Sequence, residues 1–171
     1  MLVNGLDKVP QELINKFSSQ TSRVLSEKLK RERKEFTLRF SNIGTPCVRK
    51  LWLEKNSQEQ NTFRPEVYHK FAFGDLTEEY LLFLAELSGH EVIYRQQKVE
   101  LEGITGHIDV VIDGMLVDCK SASSNSFKKF KEGLTTENDS FGYLTQLGAY
   151  HFKAKELPEV IFKNQAAFLV F

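Results

Sequence analysis

The stretch Gly106-His107-Ile108-Asp109-Val110-Val111-Ile112-Asp113-Gly114-Met115-Leu116-Val117-Asp118-Cys119-Lys120 decides how this chain is read. Asp113-Gly114 between two apolar runs is the strongest short signal for a two-residue hairpin turn. A turn there pairs Ile112 with Met115, Val111 with Leu116, Val110 with Val117 and Asp109 with Asp118, and it puts His107 opposite Lys120. Side chains alternate between faces along a strand, so Ile108, Val110, Ile112, Met115, Val117 and Cys119 form one apolar face. The other face carries Asp109, Asp118 and Lys120, and Val111 and Leu116 beside them imply that it is covered. Directly opposed residues have Cβ atoms about 5 Å apart, where like charges destabilise the pair. A cation bound between the carboxylates removes that repulsion. The pattern therefore points to a metal site.

Composition sets the frame around this hairpin. A length of 171 residues with 41% hydrophobic content suits a single domain with a real core. No apolar run approaches the roughly 18 residues of a membrane span, and the first residues lack the apolar stretch of a signal peptide. The expectation is a cytoplasmic protein with no membrane partner. Cys47 and Cys119 are the only cysteines, too few for a disulfide framework. Overall neutrality hides an asymmetry: residues 1–55 carry a net charge of +6, residues 56–126 of −7 and residues 127–171 of +1. An acidic centre beside a basic segment fits a metal site next to a phosphate-binding surface, and it fits equally well a salt-bridged helical surface.

Periodicity and turn residues place the elements. Residues 10–35 read as an amphipathic helix starting at Pro10, with Leu13, Phe17, Val24, Leu25 and Leu29 on one side and a basic end at Lys28, Lys30, Arg31, Arg33 and Lys34. A loop over 41–45 leads to a short helix over 46–55, and residues 56–64 read as loop. A helix over 65–87 stops at Ser88-Gly89. Residues 91–101 read as one strand, the hairpin adds two more, and a polar turn over 121–126 precedes a short helix over 127–133. After a loop over 135–139, residues 140–156 read as helix and 165–171 as an apolar strand. The order predicts an α/β fold of the α+β sandwich kind, with a central mixed sheet flanked by helices. Residues 1–40 form a basic helical segment, and residues 41–171 form the core of a single domain.

Four motifs then stand in order: Gly74-Asp75-Leu76-Thr77-Glu78, Gly106-His107-Ile108-Asp109, Asp118-Cys119-Lys120 and Gln146-Leu147-Gly148-Ala149-Tyr150. Together they resemble the helical GxxxE, the first aspartate, the DxK and the QxxxY of the PD-(D/E)xK nuclease superfamily, in its RecB-like and phage-exonuclease branch. Ile108 stands where the family usually has proline. The resemblance covers roughly residues 41–171 and implies a restriction-endonuclease-like core. It implies Asp109, Asp118 and Glu78 as ligands of Mg²⁺ or Mn²⁺, with the backbone carbonyl of Cys119 as a further ligand. These are hard cations that take oxygen donors.

The remaining roles follow from chemistry and from the same resemblance. Lys120 can stabilise the charge developing on a reacting phosphate or help deprotonate the attacking water. Gln146 and Tyr150 lie one helical turn apart, and the resemblance implies that they orient Lys120 or a phosphate. Glu79 is about 100° around the helix from Glu78, so the two cannot both face inward. His107 faces the site, more as a structural histidine than as a ligand. Cys47-Val48-Arg49-Lys50-Leu51-Trp52 resembles the region where iron–sulfur relatives place a first cluster cysteine, but a cluster needs about four thiolates and the chain has two. Arg49, Lys50, Lys30, Arg31, Arg33 and Lys34 are candidate DNA contacts, with Lys128, Lys129 and Lys131 next. Trp52 reads equally as a DNA-facing or a core residue.

The expected function is a divalent-metal-dependent deoxyribonuclease, most simply an exonuclease of phage or prokaryotic recombination, repair or DNA degradation. Its partner is single- or double-stranded DNA, with room for a recombination partner protein and for oligomers. Two other readings stay open. One is a non-catalytic nucleic-acid-binding or scaffold module on a nuclease fold. The other is an endonuclease subunit completed by another chain, which the end of the sequence in the strand 165–171 leaves room for.

Overall fold

The computed structural model describes residues 9–29, 36–56 and 64–171. Among these, the order is α1 (Gln11–Leu29), a 3₁₀ turn (Phe40–Asn42), α2 (Val48–Asn56), α3 (Pro65–Leu87), β1 (Val92–Ile93), β2 (Gln97–Leu101), β3 (Ile104–Ile108), β4 (Val110–Ile112), β5 (Met115–Lys120), α4 (Ser124–Glu132), α5 (Tyr143–Ala154) and β6 (Ala166–Val170). This is a mixed α+β fold with a mixed sheet. Strands β1, β4, β5 and β6 form one sheet in that order, and β2 and β3 form a second. No helix among the described residues is long and apolar enough to cross a membrane. Of the basic cluster expected at the end of the first helix, Lys30, Arg31, Arg33 and Lys34 lie outside the described residues, and so does the side chain of Lys28.

Two compact units make up the described chain, residues 9–29 with 64–92 and residues 36–56 with 93–171. In the first, α1 lays its half-buried Phe17 against α3, with ring centroids 6.2 Å from Tyr80 and 5.0 Å from Phe83. Lys16 pairs there with Glu86. Pro65, at the start of α3, has a backbone preset for a helical first turn. The helix ends in a Schellman motif at the predicted residues: Gly89 adopts φ 89° and donates to Glu86 O at 3.0 Å, while His90 donates to Ala85 O at 3.1 Å.

The second unit is built on the hairpin. Asp113 and Gly114 take φ 49° and 79°, a two-residue turn with both central residues left-handed. The register is the one the sequence predicts for three pairs, Ile112 with Met115, Val111 with Leu116 and Val110 with Val117. Beyond them the ladder ends. Strand β3 leaves for β2, where His107 pairs with Lys98, and β5 pairs in parallel with β6, where Lys120 meets Val170. The expected placement of His107 opposite Lys120 is thereby corrected.

The single strand expected over 91–101 is also two, in different sheets. Tyr94 and Gln96 adopt φ 54° and 51°, a corner that few residues other than glycine take, and the Gln96 N–H donates to Asp109 O at 2.9 Å. Both sheets break at this level. A second hairpin turn at Glu102-Gly103, φ 50° and 78°, joins β2 to β3 and lies inside no sequence expectation.

Helix boundaries shift for local reasons. Helix α4 starts at Ser124 rather than 127 because the Ser123 hydroxyl accepts from Ser126 N at 3.3 Å. Helix α5 begins at Tyr143 rather than 140, since Gly142 is left-handed at φ 72° and Asp139 Oδ2 accepts from Leu144 N at 2.8 Å. Leu147, Tyr150 and Ala154 of α5 then pack on Phe40, Val99, Ile108, Val111, Leu116 and Val160 as one buried core. The face of the hairpin that carries the aspartates is thus the face that α5 covers.

Two glycines meet where the loop before α5 crosses the segment after the 3₁₀ turn. A Cβ on Gly44 would lie 2.2 Å from the carbonyl oxygen of Gly142. Backbone cannot yield there as a flexible side chain would. Gly44→Ala is expected to lower stability by about 2 kcal/mol or more, the cost of overpacking, as a fall in the denaturant midpoint. An unchanged midpoint would show that the two loops do not approach this closely.

Candidate functional site

Asp109 sits at the break between β3 and β4, one residue beyond the last ladder pair. Its backbone carbonyl takes the Gln96 N–H, and its carboxylate Oδ2 accepts the backbone N–H of Cys119 at 2.8 Å. The local fold thus turns the Asp109 carboxylate across the strand gap onto the Asp118-Cys119-Lys120 segment of β5. Asp118 is 4% exposed, and it pairs with the Lys120 ammonium. Burial pushes the Asp118 carboxyl above the usual carboxylate range, against the opposing pull of Lys120.

Lys120 resolves the other way. Burial by itself lowers an ammonium pKa, but the charge and hydrogen bond of Asp118, with the charges of Asp109 and Tyr143, outweigh it. The result is a pKa above the ordinary lysine value. The Lys120 ammonium, paired with Asp118, is suited to hold developing negative charge.

Helix α5 supplies the roof. Tyr150 is buried and its ring stacks on Phe40 at 5.2 Å and 16°. Gly106 leaves the space for this, since a Cβ there would lie 2.8 Å from Tyr150 Cε1. Burial first, then the charge of Asp109, raises the Tyr150 hydroxyl to about 12, while hydrogen bonds from Gln146 and the His107 backbone pull the other way. The tyrosine and glutamine of the fourth motif thus lie on one side of α5, with the tyrosine hydroxyl close enough to Asp109 to feel its charge. Because the raised folded value exceeds the unfolded one of about 10, the stability this hydroxyl contributes is complete below pH 10 and is lost as pH rises towards 12. Wild-type stability is expected to fall across that window more steeply than that of Tyr150→Phe. Parallel alkaline curves would remove this hydroxyl from the account.

Tyr143 is a site residue that sequence reasoning missed. The Lys120 Nζ lies 5.3 Å from the centre of its ring, a cation–π contact. Burial raises its hydroxyl pKa, and Lys120 opposes the shift. The available signal was spacing: Tyr143, Gln146 and Tyr150 recur at i, i+3 and i+7, one stripe of a helix.

Other predicted residues have different settings. Glu78 is half-buried on α3, where its neighbour Glu79 is the buried carboxylate at 3% exposed, and both belong to the first unit. Arg49 and Lys50 are exposed on α2, Lys50 lying 3.8 Å from Glu54. Trp52 is 62% exposed, which removes the core alternative for it. Cys47 is exposed and Cys119 half-buried, and the two form no disulfide.

The donor set can be tested against a divalent cation. No group of three or more His, Cys, Asp and Glu side chains arranged to hold a metal occurs among the described residues, so a tetrahedral zinc centre of protein ligands is not formed by them. Two carboxylates, one of them buried and raised by desolvation, fit Mg²⁺ or Mn²⁺, which bind through one or two carboxylates and keep several waters. Asp109 and Asp118 would hold the ion. Comparison with family models, characterised proteins and solved structures yields no match for this chain.

Proposed function

We propose that this protein is a divalent-metal-dependent deoxyribonuclease with a restriction-endonuclease-like core of the PD-(D/E)xK kind, acting most simply as an exonuclease. The observation that carries the reading is the gathering of Asp109, Asp118 and Lys120 under Gln146 and Tyr150. Three of the four motifs that suggested the family from sequence thereby meet at one place in one unit. A bound Mg²⁺ or Mn²⁺ would supply Lewis-acid polarisation of the phosphate and a water acidic enough to attack it. The chain's own work is to hold the Lys120 ammonium beside the reacting phosphate, to fix the Asp109 carboxylate by the Cys119 N–H, and to exclude water on the α5 side by the packing of Tyr150.

The test uses end-labelled linear DNA and covalently closed circles, incubated with Mg²⁺, Mn²⁺ or EDTA. Metal-dependent loss of linear DNA alone is the expected result, and nicked circles would assign an endonuclease. Intact substrates under every metal condition would overturn the enzyme reading and leave a nucleic-acid-binding module.

A further inference from the structure

An aromatic run leads outward from Lys120. Tyr143, which carries the ammonium over its ring, stacks on Phe130 at 5.8 Å and 25° and on Phe141 at 5.4 Å and 22°. Phe130 also meets Phe168 edge-on at 5.2 Å. Phe130 is half-buried, but Phe141 stands 66% exposed at the outer end of the run. A single exposed phenylalanine needs no explanation. This one has two further properties that do.

First, Phe141 is mounted rigidly. Its neighbour Gly142 is wedged against Gly44 and donates to Asp139 O at 3.3 Å, and Asp139 in turn accepts from Leu144 N. The preceding loop is tied inward: Asn138 accepts from Thr135 N at 2.8 Å and donates to Gly133 O at 3.2 Å, while the Lys129 ammonium donates to Asn138 O at 3.2 Å. A ring held this way loses little freedom when a partner stacks on it. Second, exposed lysines stand on the helix that shares its aromatic run, one of them, Lys128, 3.7 Å from Glu132. Lys128, Lys129 and Lys131 are all exposed on α4, whose Phe130 is part of the same run.

We infer that Phe141 is a stacking platform for an unpaired base of single-stranded DNA, placed so that the backbone of that strand runs past the α4 lysines to Lys120. Stacking on an aromatic face is available to every base, and a basic track beside it holds the phosphates; this pairing is the general recipe for sequence-tolerant single-strand binding. A double-stranded end would have to fray to use it. The inference rests on the nuclease reading for the role of Lys120, and it adds the form of substrate: a strand with an unpaired base at the site.

The experiment measures binding in EDTA, so that nothing is cut, with three labelled probes: an oligothymidylate, an abasic deoxyribose-phosphate strand of equal length, and a blunt duplex. Wild type is expected to hold the oligothymidylate most tightly. Phe141→Ala should weaken that probe by about tenfold, within the range for loss of one base–aromatic stack, and leave the abasic strand unchanged. Phe141→Tyr should restore binding. Because the side chain is exposed, equal melting temperatures of the variants are the control for folding. Equal affinity of wild type and Phe141→Ala for the oligothymidylate, or equal losses on both single strands, would overturn the platform while leaving the nuclease reading in place. Failure of wild type to bind any of the three probes would overturn the platform, and cleavage of linear DNA with Mg²⁺ or Mn²⁺ decides the nuclease reading separately.

Discussion

Lys120→Ala is expected to reduce phosphodiester cleavage by about 10²–10³-fold, the cost of removing one preorganised electrostatic stabiliser, while leaving metal binding in place. The reason lies in two opposed consequences of the same contact. Lys120 is the cation that pairs with the buried Asp118 carboxylate. Its removal deprives a reacting phosphate of a fixed charge and also leaves a buried carboxylate uncompensated, a change that destabilises by about 3–5 kcal/mol. The metal-free variant should therefore melt lower than wild type. Added Mn²⁺ should raise its melting temperature by as much as or more than it raises that of wild type, because the ion now supplies the only neutralising charge. Cleavage at a near wild-type rate would reassign Lys120 to a structural ion pair. An unchanged melting temperature without metal would instead show that Asp118 does not depend on it.

The hairpin was legible because two independent signals agree in it. Asp113-Gly114 fixes where the chain reverses, and alternation fixes which side chains share a face, so the register needed no tertiary information. The limits of the hairpin were not legible. The ladder ends at Val110 and Val117, where Asp109 O accepts the Gln96 N–H at a corner formed by Tyr94 and Gln96, residues with no intrinsic preference for positive φ. Glu102-Gly103 is a weaker form of the same turn signal, flanked by Leu101 and Ile104, and reading 91–101 as a single strand hid it.

Much of the candidate site followed from motif order, since Asp109, Asp118, Lys120, Gln146 and Tyr150 do gather. His107 did not keep the place that continuous pairing gave it, because it lies on β3, which pairs with β2 rather than with β5. Tyr143 escaped for a different reason. Its approach to Lys120 depends on how α5 lies on a sheet whose strand β6 arrives in parallel after two helices, and that crossing leaves no mark in local sequence beyond the stripe shared with Tyr150. Charge asymmetry was the least decisive signal. The exposed lysines of α4 come from residues 127–171, the stretch with the smallest net charge of the three.

Asp118→Asn should abolish both cleavage and most of the stabilisation that a divalent cation gives the folded protein. An ion that binds only the folded state stabilises it by about 2.7 kcal/mol at a hundred times its Kd, or about 5–10 °C in a domain of this size. That gain depends on two carboxylates facing one ion, and Asp118 is the buried member, with its pKa already raised by desolvation. The amide keeps the shape and one oxygen but loses the charge, and it leaves Lys120 facing only Asp109. The variant without metal therefore separates two accounts of the pair. If Asp118 serves chiefly to neutralise Lys120, the variant melts well below wild type and metal makes little difference to either protein. If it serves chiefly to bind metal, wild type gains several degrees with Mn²⁺ over EDTA and the variant gains almost none. Identical melting curves for wild type with Mn²⁺ and with EDTA would count against a metal site at Asp109 and Asp118, because an ion held by both in the folded state alone must stabilise that state.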